Sequence, residues 1–597
     1  MTNQLPATNS ALPGVIPIVD PTPSSLSSLL NSEQTTTTRS ESSSLFSASS
    51  PRSPPSSISD SSDQPALPSL PTSSPPSCFK DVLLGPLANL LESIWLSLYA
   101  LLQTLIIYLF APNHQAISLH ESSSKQLGRI AIVGAGITGI STAAHYLAHG
   151  FEVVIFEQAD TIGGIWSRVN STSSLQLDSL MYRFHPSVKW SNHFPVRKVS
   201  PSMFSFRQSH GEILSELQKI WDDYRLRSRT RFNVGVFALP VCTNQFTVKQ
   251  VTREKASEDQ PSKWSINNGV DGVFDGLVVA VGTCGPAQRI DFVGRELFQG
   301  EIVHSSELDP VDWAGKRVVV IGGGASAVEA VELAVQSGCA TPAIMVTRTD
   351  KWFIPRSLFF GTLLAINPFG IPCFHQLAES AIRAYHYGAD LTWMSPSAYN
   401  GKPADRLYSK TPIVNGEFLK LVRENRADYV RAKIERISPL GVEIQRFGLD
   451  EPETVPAHVI VEATGYKRPY LGFLPTQQLF RGAKAPNQYT PPNLFLQHFV
   501  ANDWSCLMTN AGYYEGLGTV GFTHIGIFAR MMMMFMLDDA TAPSTAEMHR
   551  WVDRVIQVKG CLTFYTYAEL SIWLSSFMLS NPRRWTWIAF VGMGLGE

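Results

Sequence analysis

Two glycine-rich turns constrain this chain more than any other feature, because each sits at the seam between an apolar strand and a helix. The first, Gly134-Ala135-Gly136-Ile137-Thr138-Gly139, follows Ile130-Ala131-Ile132-Val133. The second, Gly322-Gly323-Gly324-Ala325-Ser326-Ala327, follows Val318-Val319-Val320-Ile321. A glycine turn between strand and helix brings backbone amides and the positive helix end to a phosphate. Two such turns about one domain apart imply two dinucleotides facing each other, a layout suited to passing a hydride from one to the other. The expected fold class is α/β, with two Rossmann-like dinucleotide-binding domains.

In the first unit the glycines have separate duties: Gly134 permits the turn, Gly136 lets backbone approach a diphosphate, and Gly139 lets helix pack on strand. Glu157 ends the next strand, Val153-Val154-Ile155-Phe156, where an acid accepts from ribose hydroxyls. In the second unit Ala327 takes the third-glycine place after Gly322 and Gly324. The following strand ends in Val346-Thr347-Arg348-Thr349-Asp350-Lys351, with Arg348 where an NAD site has an acid. That favours a 2′-phosphate, hence NADPH, with Lys351 or Arg356 assisting.

Around these units the pattern predicts a helix over 137–149 closed by Gly150 and an amphipathic helix over 211–227. Strands 246–252 and 263–268 pair as a hairpin. Residues 356–410, rich in aromatics and proline, read as an irregular, substrate-facing insertion.

The remaining chain bounds the setting. It has 597 residues, a net charge of -2 and only 16% charged residues, which leaves no electrostatic footprint for nucleic acid. Seven scattered cysteines without a Cys-x-x-Cys pair fit a reducing compartment and argue against a zinc site or any other metal centre. Residues 1–78 are rich in Ser, Thr and Pro and are expected to be disordered. Residues 79–112 are an apolar membrane-anchor candidate, since Ser93 to Phe110 holds no charge over a length at the lower limit for crossing a bilayer. A spanning helix, an interfacial helix and a helix packed on the body remain alternatives. Near the other end, Leu562 to Leu579 is apolar and is expected to pack as a C-terminal helix. The methionine run Met531 to Met534 reads as core or membrane-facing.

After Glu157 the chain continues to Gly163-Gly164-Ile165-Trp166. With that Gly-Gly-x-Trp turn it resembles the class B flavoprotein monooxygenases, the flavin-containing and Baeyer–Villiger monooxygenases. Phe298-x-Gly300-x-x-x-His304 resembles their fingerprint, and Glu462-Ala463-Thr464-Gly465-Tyr466, paired with Val279-Ala280-Val281-Gly282-Thr283, resembles their linker strands. The resemblance implies FAD at the first turn, contacted by Gly164 and Trp166, and NADPH at the second. Thr464 and Gly465 would lie beside the cofactors, and His304 would organise the domain hinge. It implies a monooxygenase that uses O2 through a flavin C4a adduct. Gln176, Asp178 and Tyr182 follow the flavin turn and would gate the chemistry, with Arg348 near the nicotinamide. The turn at Gly516 to Gly521 precedes an apolar helix whose N-terminus would face reduced flavin.

Residues Ser305 to Asp309 fit the continuation of neither branch. Oxygenation of soft heteroatoms or alkenes and Baeyer–Villiger insertion next to a ketone therefore both stay open. The implied domains are FAD-binding over 127–285 and 456–540, NADPH-binding over 286–455 with the insertion, and a helical extension over 541–597. The expected substrate is a lipophilic small molecule, such as a polyketide or terpenoid intermediate of secondary metabolism. The expected location is a membrane surface, with the catalytic part facing the cytosol, as at the endoplasmic reticulum. The competing readings are a disulfide reductase, which would need a dithiol, and a non-catalytic FAD/NADP-binding scaffold tethered to membrane.

Overall fold

The computed structural model describes residues 127–175, 209–234, 251–254, 262–367, 372–396, 406–407, 410–449, 451–480, 493–511, 523–559 and 566–594, with isolated positions between 90 and 105. The first unit opens with β1 (Arg129–Val133), α1 (Ile137–Ala148) and β2 (Glu152–Phe156). It continues through α2 (His210–Asp223), β3 (Thr230–Arg231) and β4 (Gly276–Val279). The second unit comprises β5 (Glu301–His304), β6 (Arg317–Ile321), α3 (Ala325–Gln336) and β7 (Ala340–Thr347). Two helices follow, α4 (Leu358–Ala365) and α5 (Pro372–Ile382). Strands β8 (Ala427–Ser438), β9 (Gly441–Arg446), β10 (Glu453–Pro456) and β11 (Val459–Glu462) complete its sheet. The chain then returns to the first sheet with β12 (Phe499–Val500) and β13 (Asp503–Leu507). It ends in α6 (Thr523–Leu537), α7 (Thr545–Lys559), α8 (Tyr567–Leu579) and α9 (Ile588–Met593).

Beside two small sheets of two and three strands, the two large sheets among the described residues are ordered β12-β13-β4-β1-β2-β3 and β10-β9-β8-β7-β6-β11-β5. At the heart of each, parallel strands are buried on both faces, so they read as unbroken apolar runs. Alternation splits each run between two cores. Ile130 and Ile132 pack towards α1 and α6, whereas Ala131 and Val133 face Trp264 and Phe274. Likewise Val318 and Val320 join α3, whereas Val319 and Ile321 join β8 and β9. Met531 to Met534 are wholly buried in the first core, which decides for core over membrane contact.

The expected helices and strands recur with shifts of a few residues. α2 stops at Asp223, and its start carries a capping box between Ser209 and Glu212. Thr252–Glu254 pairs antiparallel with Lys263–Ser265; of the hairpin strand expected over 246–252, residues 246–250 lie outside the described residues and only Thr252 falls in the observed strand. One expectation needs correcting: the described part of 356–410 is largely helical, with α4, α5 and a π-helical turn at Arg383–Tyr387. Its Pro and aromatic content masked that periodicity; Pro372 stands at a helix start, where a missing amide costs nothing. The C-terminal stretch packs through Leu570, Phe577 and Met578. The fully buried Arg530 donates to the Val591 carbonyl at 2.8 Å and fastens α9 to α6.

The anchor helix expected over 79–112 is not supported. Most of that segment lies outside the described residues, and among the described residues no helix is long and apolar enough to cross a membrane. The positions that are described, Leu90, Ile94, Trp95, Leu98, Leu101, Leu102 and Leu105, are exposed.

Candidate active site

Both glycine turns lie at the carboxyl ends of their strands, where open α/β sheets bind ligands. They are built alike. The Gly134 amide donates to the Phe156 carbonyl at 2.8 Å, and the Gly322 amide to the Val346 carbonyl at 2.9 Å, so each turn is tied to the end of the neighbouring strand. Neither α1 nor α3 has an acidic residue in its first turn or a side-chain cap, so the amides of both helix starts are left to an anion.

The first cradle is closed. Gly134 has φ +110, and a Cβ there would strike the Ala280 carbonyl; at Gly139 it would overlap the Gly134 carbonyl. Gly136 and Gly164 face each other across backbone alone, so that a Cβ on Gly164 would come 3.1 Å from the Gly136 Cα. The Gly163 amide holds this pair together by donating to the Ala135 carbonyl at 3.0 Å. Trp166 is half-buried against the first core. Glu157 is buried, and its carboxylate accepts from the Ala135 amide at 2.6 Å and the Ala159 amide at 2.8 Å. Those two bonds leave carboxylate lone pairs for hydroxyl donors. A slot lined by glycine backbone, ending at a fixed carboxylate, fits the diphosphate and ribose of a dinucleotide.

The second cradle is as tight at its base, where a Cβ on Gly322 would strike the Ala463 carbonyl and one on Gly323 the Thr347 hydroxyl, but it is open at Gly324, where a Cβ would meet nothing within 4 Å; Ala327 is buried beneath. Arg348 is exposed just beyond β7. The nearby acid, Asp350, is drawn away: it pairs with Arg431 at 2.7 Å and accepts from the Tyr429 hydroxyl at 2.9 Å. Asp350 is thus held on Arg431 and Tyr429 rather than on Arg348, which fits a 2′-phosphate.

A hinge joins the cradles. Register places His304, Glu462 and Ile321 side by side at one end of the second sheet. The linkers pair there, the Gly285 amide donating to the Lys467 carbonyl and the Lys467 amide to the Pro286 carbonyl, both at 2.8 Å. The Thr464 hydroxyl donates to the Gln288 carbonyl. Gly465 has φ +83, and its carbonyl accepts from the Gln288 amide at 2.9 Å and from His304 Nε2 at 3.0 Å. The buried His304 also accepts at Nδ1 from the Ser306 amide at 3.2 Å, which assigns its proton to Nε2.

Three sets of side-chain contacts at the hinge were not anticipated from the sequence motifs. The fully buried Glu462 is paired with Arg295 and with Arg289 at 3.5 Å; Arg289 also holds Glu307, whose carboxyl it keeps below the usual range. Asn170 donates to the Ser305 carbonyl at 2.8 Å and accepts from the Leu308 amide at 2.7 Å. Ser171 binds Asp309, so the loop after the Gly163-Gly164 turn is latched to the segment after His304. A charge ending the apolar run Val-Ile-Val-Glu was a readable signal for Glu462; the Asn170 latch spans 138 residues and left none.

Gln176, Asp178, Tyr182 and the Gly516 to Gly521 turn lie outside the described residues. Among the described residues no cluster of His, Cys, Asp or Glu could hold a metal.

A family model described as flavin-binding monooxygenase-like matches residues 127–474, more than half of the chain. The chain belongs to that family. It is 25% identical over 357 residues to flavin-containing monooxygenase 1 of Oryctolagus cuniculus, covering 57% of this chain and 62% of the relative. It is 29% identical over 238 residues to a Baeyer-Villiger monooxygenase of Pseudomonas aeruginosa, covering 38% and 39%. The chain thus spans less than two thirds of the length of these relatives, 62% of the first and 39% of the second. Among solved structures, OTEMO in complex with FAD and NADP aligns with TM-score 0.51 at 16% identity, covering 77% of this chain and 99% of that one. Oxidized steroid monooxygenase bound to NADP aligns with TM-score 0.51 at 17% identity, covering 76% and 98%. These likenesses show that the flavin-binding monooxygenase-like chain shares its mixed α/β fold with that group.

Proposed function

We propose that the chain is an FAD- and NADPH-dependent monooxygenase that transfers one atom of O2 to a lipophilic small molecule. The observation that carries this reading is the pair of unlike cradles, one closed and one open, joined by a hydrogen-bonded hinge in a chain of this family. Bound FAD would accept hydride from NADPH and activate oxygen; the protein's share is binding, orientation and exclusion of water. Gly134, Gly136, Gly139, Gly164, Trp166 and Glu157 would hold the flavin nucleotide. Gly322, Gly324, Ala327 and Arg348 would hold NADPH, with Arg348 forking onto the 2′-phosphate. Thr464 and Gly465, fixed by Gln288 and His304, would set the distance between the two. The balance is NADPH, a proton, O2 and substrate giving NADP⁺, water and oxygenated product.

Apolar side chains support a lipophilic substrate met at a membrane surface. On the inserted helices Phe374 and Leu377 are exposed, as is Trp393 just after them, and so are the described apolar positions between Leu90 and Leu105. The membrane surface, the cytosol-facing orientation and a role in tailoring secondary metabolites are parts of this proposal.

The test is anaerobic addition of NADPH to the purified yellow protein, followed by oxygen and mass analysis of products from ketones, amines and alkenes. Rapid bleaching and a product sixteen mass units heavier are expected. A protein that stays yellow under NADPH is a binding scaffold instead. Lactone or ester products assign the Baeyer–Villiger branch; N- or S-oxides assign the other. Flotation with liposomes, lost on deletion of residues 1–112, tests the membrane contact.

A further inference from the structure

A line of polar side chains runs from the first glycine turn into the core below it. Thr138 is the second residue of α1, and its hydroxyl oxygen accepts from Asn510 Nδ2 at 2.9 Å. Asn510 Oδ1 in turn accepts from His524 Nε2 at 2.9 Å, at the start of α6. The His524 ring lies 5.4 Å from that of His498, which stacks on Phe528 at 3.6 Å and donates from Nδ1 to the Leu496 carbonyl at 3.1 Å. Thr138, His498 and His524 are buried, and burial holds His498 neutral by pushing it well below its ordinary range.

The directions in this line follow from chemistry. An amide nitrogen only donates and an amide oxygen only accepts. His524 therefore carries its proton on Nε2, and Asn510 fills the Thr138 oxygen as donor. The hydroxyl hydrogen of Thr138 is left to point elsewhere, and no described residue accepts it. Asn510 has φ +62, a left-handed backbone suited to Gly or Asn. Of those two, only Asn also carries both a donor and an acceptor.

We propose that Asn510 and His524 are positioning residues which turn the Thr138 hydroxyl outward, as a donor to the diphosphate of the flavin nucleotide at the start of α1. This rests on the reading of the first turn as the FAD site. It makes the first cradle depend on a contact 372 residues away in sequence, so flavin affinity reports on the seating of α6.

The test is FAD titration of deflavinated protein by fluorescence quenching, with phosphorus NMR of the bound diphosphate. Thr138→Val and Asn510→Gly should each weaken FAD about tenfold, the loss of one hydrogen bond to a charged group. Asn510→Gly keeps the left-handed backbone, so its effect isolates the amide. The Thr138→Val/Asn510→Gly pair should be no weaker than either alone, because the two act as one contact. Thr138→Ser should stay within about twofold. Asn510→Asp should be weaker than Asn510→Gly, since a carboxylate would claim the Thr138 hydrogen and add like charge. The diphosphate resonances should move in Thr138→Val and recover in Thr138→Ser, which a purely structural role would not produce. A folded Asn510→Gly protein with unchanged FAD affinity, or additive losses in the pair, overturns the proposal. Gly136→Val separates the two failures. If that variant also retains FAD, the first-turn assignment itself falls; if it alone loses FAD, only the positioning chain falls.

Discussion

The two glycine turns have the same strand-turn-helix frame and opposite surroundings. Around Gly136 the second loop closes down, Gly164 faces it across backbone, and Glu157 is fixed by two amides. Around Gly324 there is open space, and Arg348 is exposed. A nucleotide wrapped on several sides leaves slowly, whereas one seated on an open edge exchanges. Under the proposed function, that asymmetry would suit a resident flavin and a nicotinamide that comes and goes. It arises from the loops packed around each turn, since the turns themselves are alike.

The largest effect should come from breaking the closed side. Gly139→Ala forces a Cβ into the Gly134 carbonyl, so the turn must shift. Colourless, poorly folded protein is expected, read by visible absorbance and circular dichroism. Gly136→Ala has ordinary contacts in the protein alone, its nearest neighbour being 3.6 Å away. That protein should fold yet bind FAD at least about tenfold more weakly, a loss of about 1.4 kcal/mol. If it bound FAD normally, the closed slot would not be where the diphosphate sits.

Next comes the hinge. Glu462→Ala leaves Arg295 and Arg289 without their buried partner. Removing one member of a buried pair costs about 3 kcal/mol, discounted here to about 2 because both arginines reach solvent. Urea denaturation should show this loss, and Glu462→Gln should recover part of it. No loss would mean that the linkers are held by their backbone pairing alone.

The open side should respond more mildly and more selectively. Arg348→Ala should raise the KM for NADPH about tenfold while leaving NADH nearly unchanged. Equal losses for both would remove the 2′-phosphate role and leave Arg348 a nicotinamide-side group. Tyr429→Phe should move the preference in the same direction by a smaller factor, because Asp350 loses one of its restraints.

The smallest effect is acid sensitivity in the second unit. Burial pushes His386, which faces the Asn415 carbonyl, down to about 4. Its folded value lies below its unfolded one, so between about pH 6.5 and 4 the unfolded chain takes up a proton that the folded chain refuses. Stability therefore rises with pH through that window and is lost on acidification, with a slope of at most one proton. His386→Gln should flatten the pH dependence of urea unfolding by at most one proton; an unchanged slope would assign the acid lability to His375 and His498, which burial also lowers.

The sequence by itself determined the two strand-turn-helix units, their glycines, the acid at Glu157, the basic group at Arg348 and the family. Those properties are local: each depends on a turn, a periodicity or a spacing within about thirty residues. Only the tertiary structure decided that the first cradle is closed by a second loop and the other is open at Gly324, and that Asn170 latches the loop after Gly164 to the segment after His304. The same holds for the burial of Glu462 between two arginines and for the contact of Asn510 with Thr138. These pairings join residues more than a hundred positions apart, and a side chain's partner at such a distance is set by how the sheets and helices pack. The helices inside 356–410 were hidden for a related reason. Their apolar residues serve a packed interior and an exposed face at once, so no clean helical stripe survives in the sequence.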